Sequence, residues 1–211
     1  MSENPFLHSL PRTKKGVGGF FMDALQAIVI VLALFVVSYL FLVIPNQVDG
    51  QSMEPNFHDN ELLFTNKIIQ IIGDKEFMKE RNYNYRRGDV VIFQKPGHDD
   101  FIKRVIALPG DEIMIQSGKI YINNTEIHEM YIPDSPQWRT NTYSFISEGE
   151  TKVVPIGHYF LMGDNRNNSK DSRFSDIGFV SREHIKGRVF LRYWPFEDFG
   201  FIGAGEIEYV T

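Results

Sequence analysis

The stretch FIKRVIAL (Phe101–Leu108) ends at the turn residues PGD (Pro109–Asp111), and its apolar and β-branched residues predict a strand. Similar short runs precede and follow it, separated by glycine, proline and polar residues. They are Val90–Phe93, Glu112–Ile115, Lys119–Ile122, Tyr159–Met162 and Val189–Trp194. Ser117 and Gly118 lie between two of these runs and predict a hairpin. The chain beyond residue 44 is therefore predicted to be mainly β, of sandwich or barrel type.

Three segments of this β region differ in character. Short helices are expected near Glu61–Ile72 and Ser181–Lys186, and the polar stretch Asp134–Glu150 is expected to form a loop or a small hairpin. The sequence contains no internal repeat. It also shows no shift in composition that would mark a second soluble domain.

The run ALQAIVIVLALFVVSYLFLVI (Ala24–Ile44) contains no charged residue over 21 positions. A helix of this length spans about 31 Å, which matches the hydrocarbon core of a bilayer. Pro45 follows directly and is expected to end the helix. A removable signal peptide has a shorter apolar run and a small-residue cleavage site, which the following residues do not offer. A buried core helix would be shorter and would have a polar face, so we expect a transmembrane helix.

Charges on the two sides of this helix predict its orientation. The basic residues before it are Arg12, Lys14 and Lys15, whereas Asp49, Glu54 and Asp59 follow it before the first lysine, Lys67. The positive-inside rule therefore predicts a cytoplasmic N-terminus and an external C-terminal region. The expected organisation is a cytoplasmic tail at 1–19, a transmembrane helix at 20–44 and an extracytoplasmic β domain at 45–211.

The composition excludes several classes of function. With 22 Lys and Arg against 27 Asp and Glu, the net charge of -5 provides no general attraction for nucleic acid. The chain contains no cysteine, which rules out disulfides, a cysteine nucleophile and thiolate zinc sites. We therefore expect no nucleic-acid partner.

The segment GQSMEP (Gly50–Pro55) is the first of three that could carry chemistry. Ser52 lies eight residues beyond Ile44, so an extended chain keeps it within about 26 Å of the predicted span. Gly50 permits tight backbone geometry, and a serine framed in this way can lie beside free backbone N–H groups. A serine in a Gly/Pro turn is more often structural, and that alternative stays open for this segment taken alone.

The second segment is the strand Phe101–Leu108 itself. Alternation places Lys103 with Phe101 and Val105 on one face, and Arg104 on the other. If Lys103 is the basic residue that is buried, desolvation lowers its pKa and lets a neutral amine accept a proton from a serine hydroxyl. The alternative is a solvated basic pair on an edge strand.

The third segment, GDNRNNSKDSR (Gly163–Arg173), has no apolar side chain over eleven residues. It predicts a dense hydrogen-bonding loop in which Asp171 and Arg173 could pair. The alternatives are an ordinary polar loop or a metal loop, although its spacing does not match that of an EF-hand. A Ser-His-Asp triad also stays open, because such triads assemble across the sequence, but no G-x-S-x-G motif is present.

The three segments, in this order behind one membrane span, resemble the type I signal peptidase family. The resemblance covers roughly residues 20–195. The matching segments are Gly50–Pro55, Arg87–Phe93, Phe101–Asp111 and Gly163–Arg173. It implies a mainly β catalytic domain, a Ser–Lys dyad, and removal of the signal peptides of exported preproteins by cutting after small residues. It also implies a small inserted β domain at about 112–160.

The resemblance also implies roles for single residues. Ser52 matches the nucleophile, Lys103 the general base, and Ser169 a serine that helps to orient the lysine. Asp171 and Arg173 match a structural ion pair. The positions that match the pockets for small side chains are Val48, Met53, Ile92 and Ile102.

The sequence departs from the family pattern in a few places. Gly50 stands where some members carry a hydroxyl that helps to bind the oxyanion, and Asn56 replaces a more common threonine. We regard the change at Asn56 as mild. The expected partners are signal peptides and the lipid bilayer, the expected state is a monomer, and no metal or organic cofactor is expected.

Two rival functions differ in what they require. Self-cleaving SOS repressors share the chemistry but lack a spanning helix, which argues against them. A non-catalytic, membrane-anchored relative that only binds peptides would be expected to lose Ser52 or Lys103, and this chain keeps both.

Overall fold

A computed structural model describes residues 17–72, 84–97 and 99–210 of the chain. The chain divides into two compact units, Met1–Phe41 and Leu42–Thr211. The basic residues Arg12, Lys14 and Lys15, on which the predicted orientation depends, lie outside the described residues.

All but the last residue of helix α1 (Val17–Leu42) belongs to the first unit, and most of the apolar side chains described on this helix are exposed. Its stretch Gly18–Val37 is long and apolar enough to cross a membrane, and none of it is buried in protein. The helix ends two residues earlier than expected. Pro45 lies inside a strand, where its missing N–H is tolerated because that strand is at the edge of its sheet.

In the part of the chain that the structure describes, the second unit is built from strands, joined by a short helix, α2 (Ile68–Ile72), and turns of 3₁₀ helix. The strands, in chain order, are β1 (Val43–Gln47), β2 (Leu62–Asn66), β3 (Val90–Gln94), β4 (Asp100–Ala107), β5 (Glu112–Gln116), β6 (Lys119–Ile122), β7 (Thr125–Glu129), β8 (Thr151–Val153), β9 (His158–Met162), β10 (Val180–Ser181), β11 (Ile185–Trp194), β12 (Gly200–Phe201) and β13 (Ile207–Tyr209). The predicted mainly β fold class is confirmed.

These strands form two antiparallel sheets. The larger sheet has eight strands in the order β1-β2-β11-β3-β4-β9-β10, with β12 paired to β11. The smaller sheet has five strands in the order β13-β7-β6-β5-β8. Four of its strands come from the range 112–160, but β13 comes from the C-terminal end, and β9 belongs to the larger sheet.

Strand β4 lies in the interior of the larger sheet, between β3 and β9. Its last six residues, Ile102–Ala107, are all buried, because other parts of the domain cover both faces of the strand. In the register with β3, Ile92 faces Ile102 and Val91 faces Lys103. This burial on both faces explains why residues 101–107 of β4 are apolar except for Lys103 and Arg104.

Three apolar clusters form the core. One joins the two sheets through Ile106 and Phe160 of the larger and Ile113 and Ile122 of the smaller sheet. A second packs around Phe93, Val105 and Leu161. The third lies beside the turn that carries Ser52 and contains Val48, Met53, Phe57, Leu63, Val90, Ile92, Ile102 and Val189.

Two predicted helices are largely wrong. Residues Leu62–Asn66 form strand β2, which pairs with β1 and β11, and only Ile68–Ile72 is helical. Near Ser181–Lys186, a single 3₁₀ turn, Arg182–His184, leads directly into β11. In both places pairing with neighbouring strands outweighs local propensity. The hairpin at Ser117 and Gly118 is confirmed, and both residues have positive φ angles of 53° and 78°.

Strand β11 can be tested at Gly187. A Cβ atom at this position would lie 2.4 Å from the carbonyl oxygen of Asn66 and 2.8 Å from a methyl group of Thr65. We expect Gly187→Ala to lower the free energy of unfolding by about 1–3 kcal/mol, because β2 and β11 must separate to admit the methyl group. Gly203→Ala is the control, since nothing lies within 4 Å of a Cβ there. Equal denaturation midpoints for the two variants would contradict this packing.

Candidate active site

Ser52 lies in a loop that leaves strand β1 and returns to strand β2. Val48 joins the two ends of this loop. Its N–H donates to the carbonyl of Glu61 at 2.8 Å, and its carbonyl accepts from the N–H of Asn60 at 2.9 Å. Gly50 has a φ of +80°, a conformation that glycine adopts without strain. Its N–H donates to the Asp59 carboxylate at 2.8 Å, which holds the chain just before Ser52.

Two apolar side chains fasten this loop to the core. Met53 and Phe57 are both buried in the third cluster, and both the N–H of Phe57 and that of Asn56 donate to the carbonyl of Met53. Ser52 itself stays partly exposed. The loop therefore has a fixed base and presents the serine hydroxyl at its surface.

Lys103 reaches Ser52 from strand β4. Its Nζ donates to Ser52 Oγ at 2.7 Å and to the carbonyl of Ile102 at 2.7 Å, and the residue is only 2% exposed. Burial lowers the pKa of Lys103 from its usual 10.5 to about 8, while the carboxylates of Asp171 and Asp164 limit that fall. The lysine predicted to meet Ser52 thus does so, as a strongly desolvated amine.

Arg104, the next residue, is also buried, which the alternation pattern did not anticipate. Its guanidinium forms a two-pronged ion pair with the Asp164 carboxylate, Nε to Oδ1 at 2.8 Å and Nη2 to Oδ2 at 2.5 Å. Asp164 is fully buried, so each charge compensates the other. Sequence reasoning missed this pair, because nothing local links two residues sixty positions apart.

The third predicted segment lies against the same centre. Asp171 and Arg173 form a fully buried ion pair with two hydrogen bonds of 2.8 Å. Burial by itself would raise the pKa of Asp171, but the hydrogen bonds and charge of Arg173 outweigh it and hold that pKa below its usual value. Asp171 also accepts from the N–H of Gly163 at 3.0 Å, which ties the end of the loop to its beginning.

Ser169 is buried beside Gly163. The two hydrogen bonds that the Lys103 amine donates go to Ser52 and to Ile102, not to Ser169. The part of Ser169 in orienting the lysine therefore stays a prediction. Gly163 itself is closely surrounded, since a Cβ there would lie 2.2 Å from Ser169 Oγ and 2.4 Å from the carbonyl oxygen of Ser52.

A cleft of about 440 Å³ opens in front of Ser52 and Lys103. Ile92 and Ile102, two of the four residues predicted to line substrate pockets, lie in its wall. Val48 and Met53, the other two, are buried in the third apolar cluster and do not line the cleft.

Other chemistries find little support around Ser52. Of the histidines in the part of the chain that the structure describes, none makes a hydrogen bond to Ser52, and His58 instead pairs with Glu61 at 3.2 Å. Within residues 17–72, 84–97 and 99–210, no three His, Asp or Glu side chains cluster closely enough to hold a metal ion.

Comparison with known proteins identifies the family of this chain. The profile of the family "Signal peptidase, peptidase S26" matches residues 21–194. Signal peptidase I of Bacillus amyloliquefaciens is 33% identical over 84% of this chain and 90% of its own length. Signal peptidase IB of Staphylococcus aureus strain MRSA252 is 31% identical over 85% of this chain and 94% of its own length. A probable signal peptidase I-2 of Synechocystis is 38% identical over 74% and 65%, respectively.

These similarities define the class of protein as that of serine peptidases of the S26 type. The chain belongs to the signal peptidase family, peptidase S26. Among solved structures, a signal peptidase I from Enterococcus faecalis V583 is similar, with a TM-score of 0.41 and 29% identity over 50% of this chain and 96% of that one.

The close approach of Gly163 to the serine turn gives a test of this site. We expect Gly163→Ala to slow the covalent reaction of Ser52 with a serine-directed reagent by about 10- to 100-fold, because the added methyl group must displace Ser52 or Ser169. Mass spectrometry of the intact protein follows the reaction. Gly203→Ala, with its open surroundings, should react at the wild-type rate, and an unchanged rate in Gly163→Ala would refute the close packing.

Proposed function

We propose that this chain is a membrane-anchored serine endopeptidase that removes signal peptides from exported preproteins, with Ser52 as nucleophile and Lys103 as general base. The observation that carries the proposal is the 2.7 Å contact between Lys103 Nζ and Ser52 Oγ at the end of a cleft. A buried amine in hydrogen-bond contact with a partly exposed serine is the arrangement that Ser–Lys catalysis needs. The name shared by the relatives supports signal peptides as the substrate class.

The substrate segment binds in the cleft in an extended form. Strand β1 is an edge strand, so its outer backbone groups can pair with an added strand. Residues Asp100–Ile102 line the same cleft as the end of β1. Small side chains, one and three residues before the cut, enter shallow depressions beside Ile92 and Ile102. Val48 and Met53 support this wall from the core beneath it, and larger side chains clash.

The reaction then proceeds through an acyl-enzyme. Neutral Lys103 takes the proton of Ser52 as Ser52 Oγ attacks the carbonyl carbon, and the resulting ammonium gives that proton to the leaving amine. Lys103, neutral again, takes a proton from a water molecule that attacks the ester, and returns it to Ser52 as the acid product leaves. Ser169, Asp171 and Arg173 hold the lysine and its surroundings in place.

The oxyanion of the tetrahedral intermediate binds to the backbone N–H of Ser52. Among the described residues, no group accepts a hydrogen bond from this N–H. Gly50 provides no side-chain donor, and a missing oxyanion donor can cost about 3 kcal/mol where nothing replaces it. The backbone donor therefore carries more of the stabilisation than in relatives with a hydroxyl at this position.

The proposal also includes the way in which the chain is anchored in the membrane. Residues 20–42 span the bilayer as part of helix α1, and residues 1–19 lie in the cytoplasm. Residues 43–211 form the extracytoplasmic domain, with its small insertion at about 112–160, because Val43 and Ile44 pair with strand β2. The apolar, exposed helix α1 supports an anchor. The exposed aromatic side chains Phe196, Phe199 and Phe201 are suited to contact with a bilayer surface. We propose a monomer, because both members of the dyad come from one chain and catalysis needs no residue of a second copy.

The dyad is tested by removing each member. We expect Ser52→Ala and Lys103→Met each to abolish cleavage of a synthetic signal peptide in detergent, because one lacks the nucleophile and the other the base. Mass spectrometry of the products locates the cut. Lys119→Met, which removes an exposed lysine of the smaller sheet, should retain full activity. Wild-type cleavage rates in either dyad variant would contradict the proposal. If the unmodified chain binds the signal peptide but does not cleave it, the chain is instead a peptide-binding protein.

The pH dependence tests the state of the base. Only neutral Lys103 can accept the proton, so kcat/KM should rise with pH, reach half its maximum near the lysine pKa of about 8, and level off above it. The rise comes from loss of the lysine proton, and activity should be low at pH 6. A profile that is flat between pH 6 and 9, or one still rising steeply at pH 10, would contradict a desolvated base.

A further inference from the structure

Asn56 lies four residues after Ser52, at the far end of the same turn. Both N–H bonds of its side-chain amide are used: Nδ2 donates to Asp164 Oδ2 at 2.9 Å and to the carbonyl oxygen of Tyr131 at 3.0 Å. Its backbone carbonyl accepts from Arg192 at 3.3 Å. A partly exposed asparagine in a surface loop has no need of so many partners, so this residue joins the turn to its surroundings.

The partner of Asn56, Asp164, lies between two residues that contact the serine. On one side is Gly163, whose Cα lies close to the carbonyl of Ser52. On the other is Asn165, whose backbone N–H donates to the carbonyl of Ser52 at 3.1 Å and whose side chain donates to that of Gln51 at 3.0 Å. The start of the turn is thus held at Gln51 and Ser52, and its end is held at Asn56, by one short segment.

That segment is itself fixed by strand β4. Arg104 holds the Asp164 carboxylate through two hydrogen bonds and is the residue next to Lys103. Strand β4 therefore supplies the base, Lys103. Through the next residue, Arg104, it also fixes the turn that carries Ser52, because Arg104 binds Asp164 and Asp164 binds Asn56. The distance between Lys103 Nζ and Ser52 Oγ depends on both.

The second acceptor, the Tyr131 carbonyl, comes from the region that follows strand β7 of the smaller sheet. The ring of Tyr131 lies 3.9 Å from the Arg104 guanidinium, and its hydroxyl donates to Glu129. Glu129 pairs with Arg166 at 2.5 Å. Asn56 thus brings the serine turn into a buried polar network that reaches the smaller sheet.

A threonine here would have a single hydroxyl donor, whereas the amide of asparagine supplies two N–H groups to two separate acceptors. We propose that Asn56 is a positioning residue for catalysis: its amide, bridging Asp164 and the Tyr131 carbonyl, holds the Ser52 turn at the depth at which Ser52 Oγ meets Lys103. The inference rests on the proposed function for its natural substrate. The sequence alone presents Asn56 as a mild departure from the family pattern, whereas its contacts give it a role in the site.

The test compares single variants of the full chain in detergent. Asn56→Asp places a second carboxylate against that of Asp164, and Asn56→Leu removes both donors. We expect both to lower kcat for a synthetic signal peptide by about 10- to 100-fold per folded molecule. The KM should stay within about threefold of wild type, because the serine shifts and the cleft does not.

A merely structural role predicts another pattern. Tyr159→Phe, the control, removes a buried hydroxyl that donates to Asn84 at 2.6 Å, away from the serine turn. It should lower the melting temperature and leave kcat unchanged. If the Asn56 variants behave in the same way, the positioning role is wrong.

A second readout separates this inference from the proposed function. A small activated ester acylates Ser52 without any need for peptide recognition, and the mass of the intact protein reports the rate at saturating ester. The Asn56 variants should lose the same factor here as in kcat. If the unmodified chain is acylated but cuts no signal peptide, the proposed substrate is wrong, and the acylation rates still decide the role of Asn56. Equal acylation rates in wild type and Asn56→Leu would overturn it.

Discussion

The burial of one lysine amine is the interaction on which the rest of this structure depends. A protonated lysine is stable in water and unfavourable in a protein interior, so placing Lys103 in strand β4 with both faces covered shifts it toward its neutral form. Covering both faces requires the larger sheet and the core clusters packed against it. The serine turn then has to reach the amine from the side, which the apolar anchors Met53 and Phe57 make possible.

This arrangement opposes stability. The pKa of Lys103 is lower in the folded chain than in the unfolded one, so the folded state binds the proton less readily. The penalty is absent above about pH 10.5 and is fully present below about pH 8, where it amounts to roughly 3 kcal/mol for the shift of the lysine from 10.5 to about 8. Nearby charges are balanced in pairs, Arg104 with Asp164 and Asp171 with Arg173, so that the site holds few uncompensated ions.

Sequence reasoning reached the parts of this site that depend on local pattern. The alternation and apolar content of Phe101–Leu108 predicted the strand and its turn, but left open whether a basic residue is desolvated. The Gly and Pro around Ser52 predicted a tight turn. It could not find what depends on pairing across the chain. The ion pair of Arg104 with Asp164, the contact of Asn56 with Tyr131, and the pairing of β13 with β7 join residues sixty or more positions apart, and no local periodicity encodes them. For the same reason Leu62–Asn66 was expected as helix and is a strand. The catalytic roles of Ser52, Lys103 and Ser169 stay predictions.

The most direct test of the account is a titration of Lys103 itself. The chain is prepared with carbon-13 at the lysine Cε positions, and the resonance of Lys103, identified by its absence in Lys103→Met, is followed by NMR against pH in detergent micelles. The account predicts a midpoint near pH 8, about 2.5 units below that of the exposed lysines in the same spectra. A midpoint near 10.5, equal to that of the exposed lysines, would mean that the amine is solvated and could not serve as the base for Ser52.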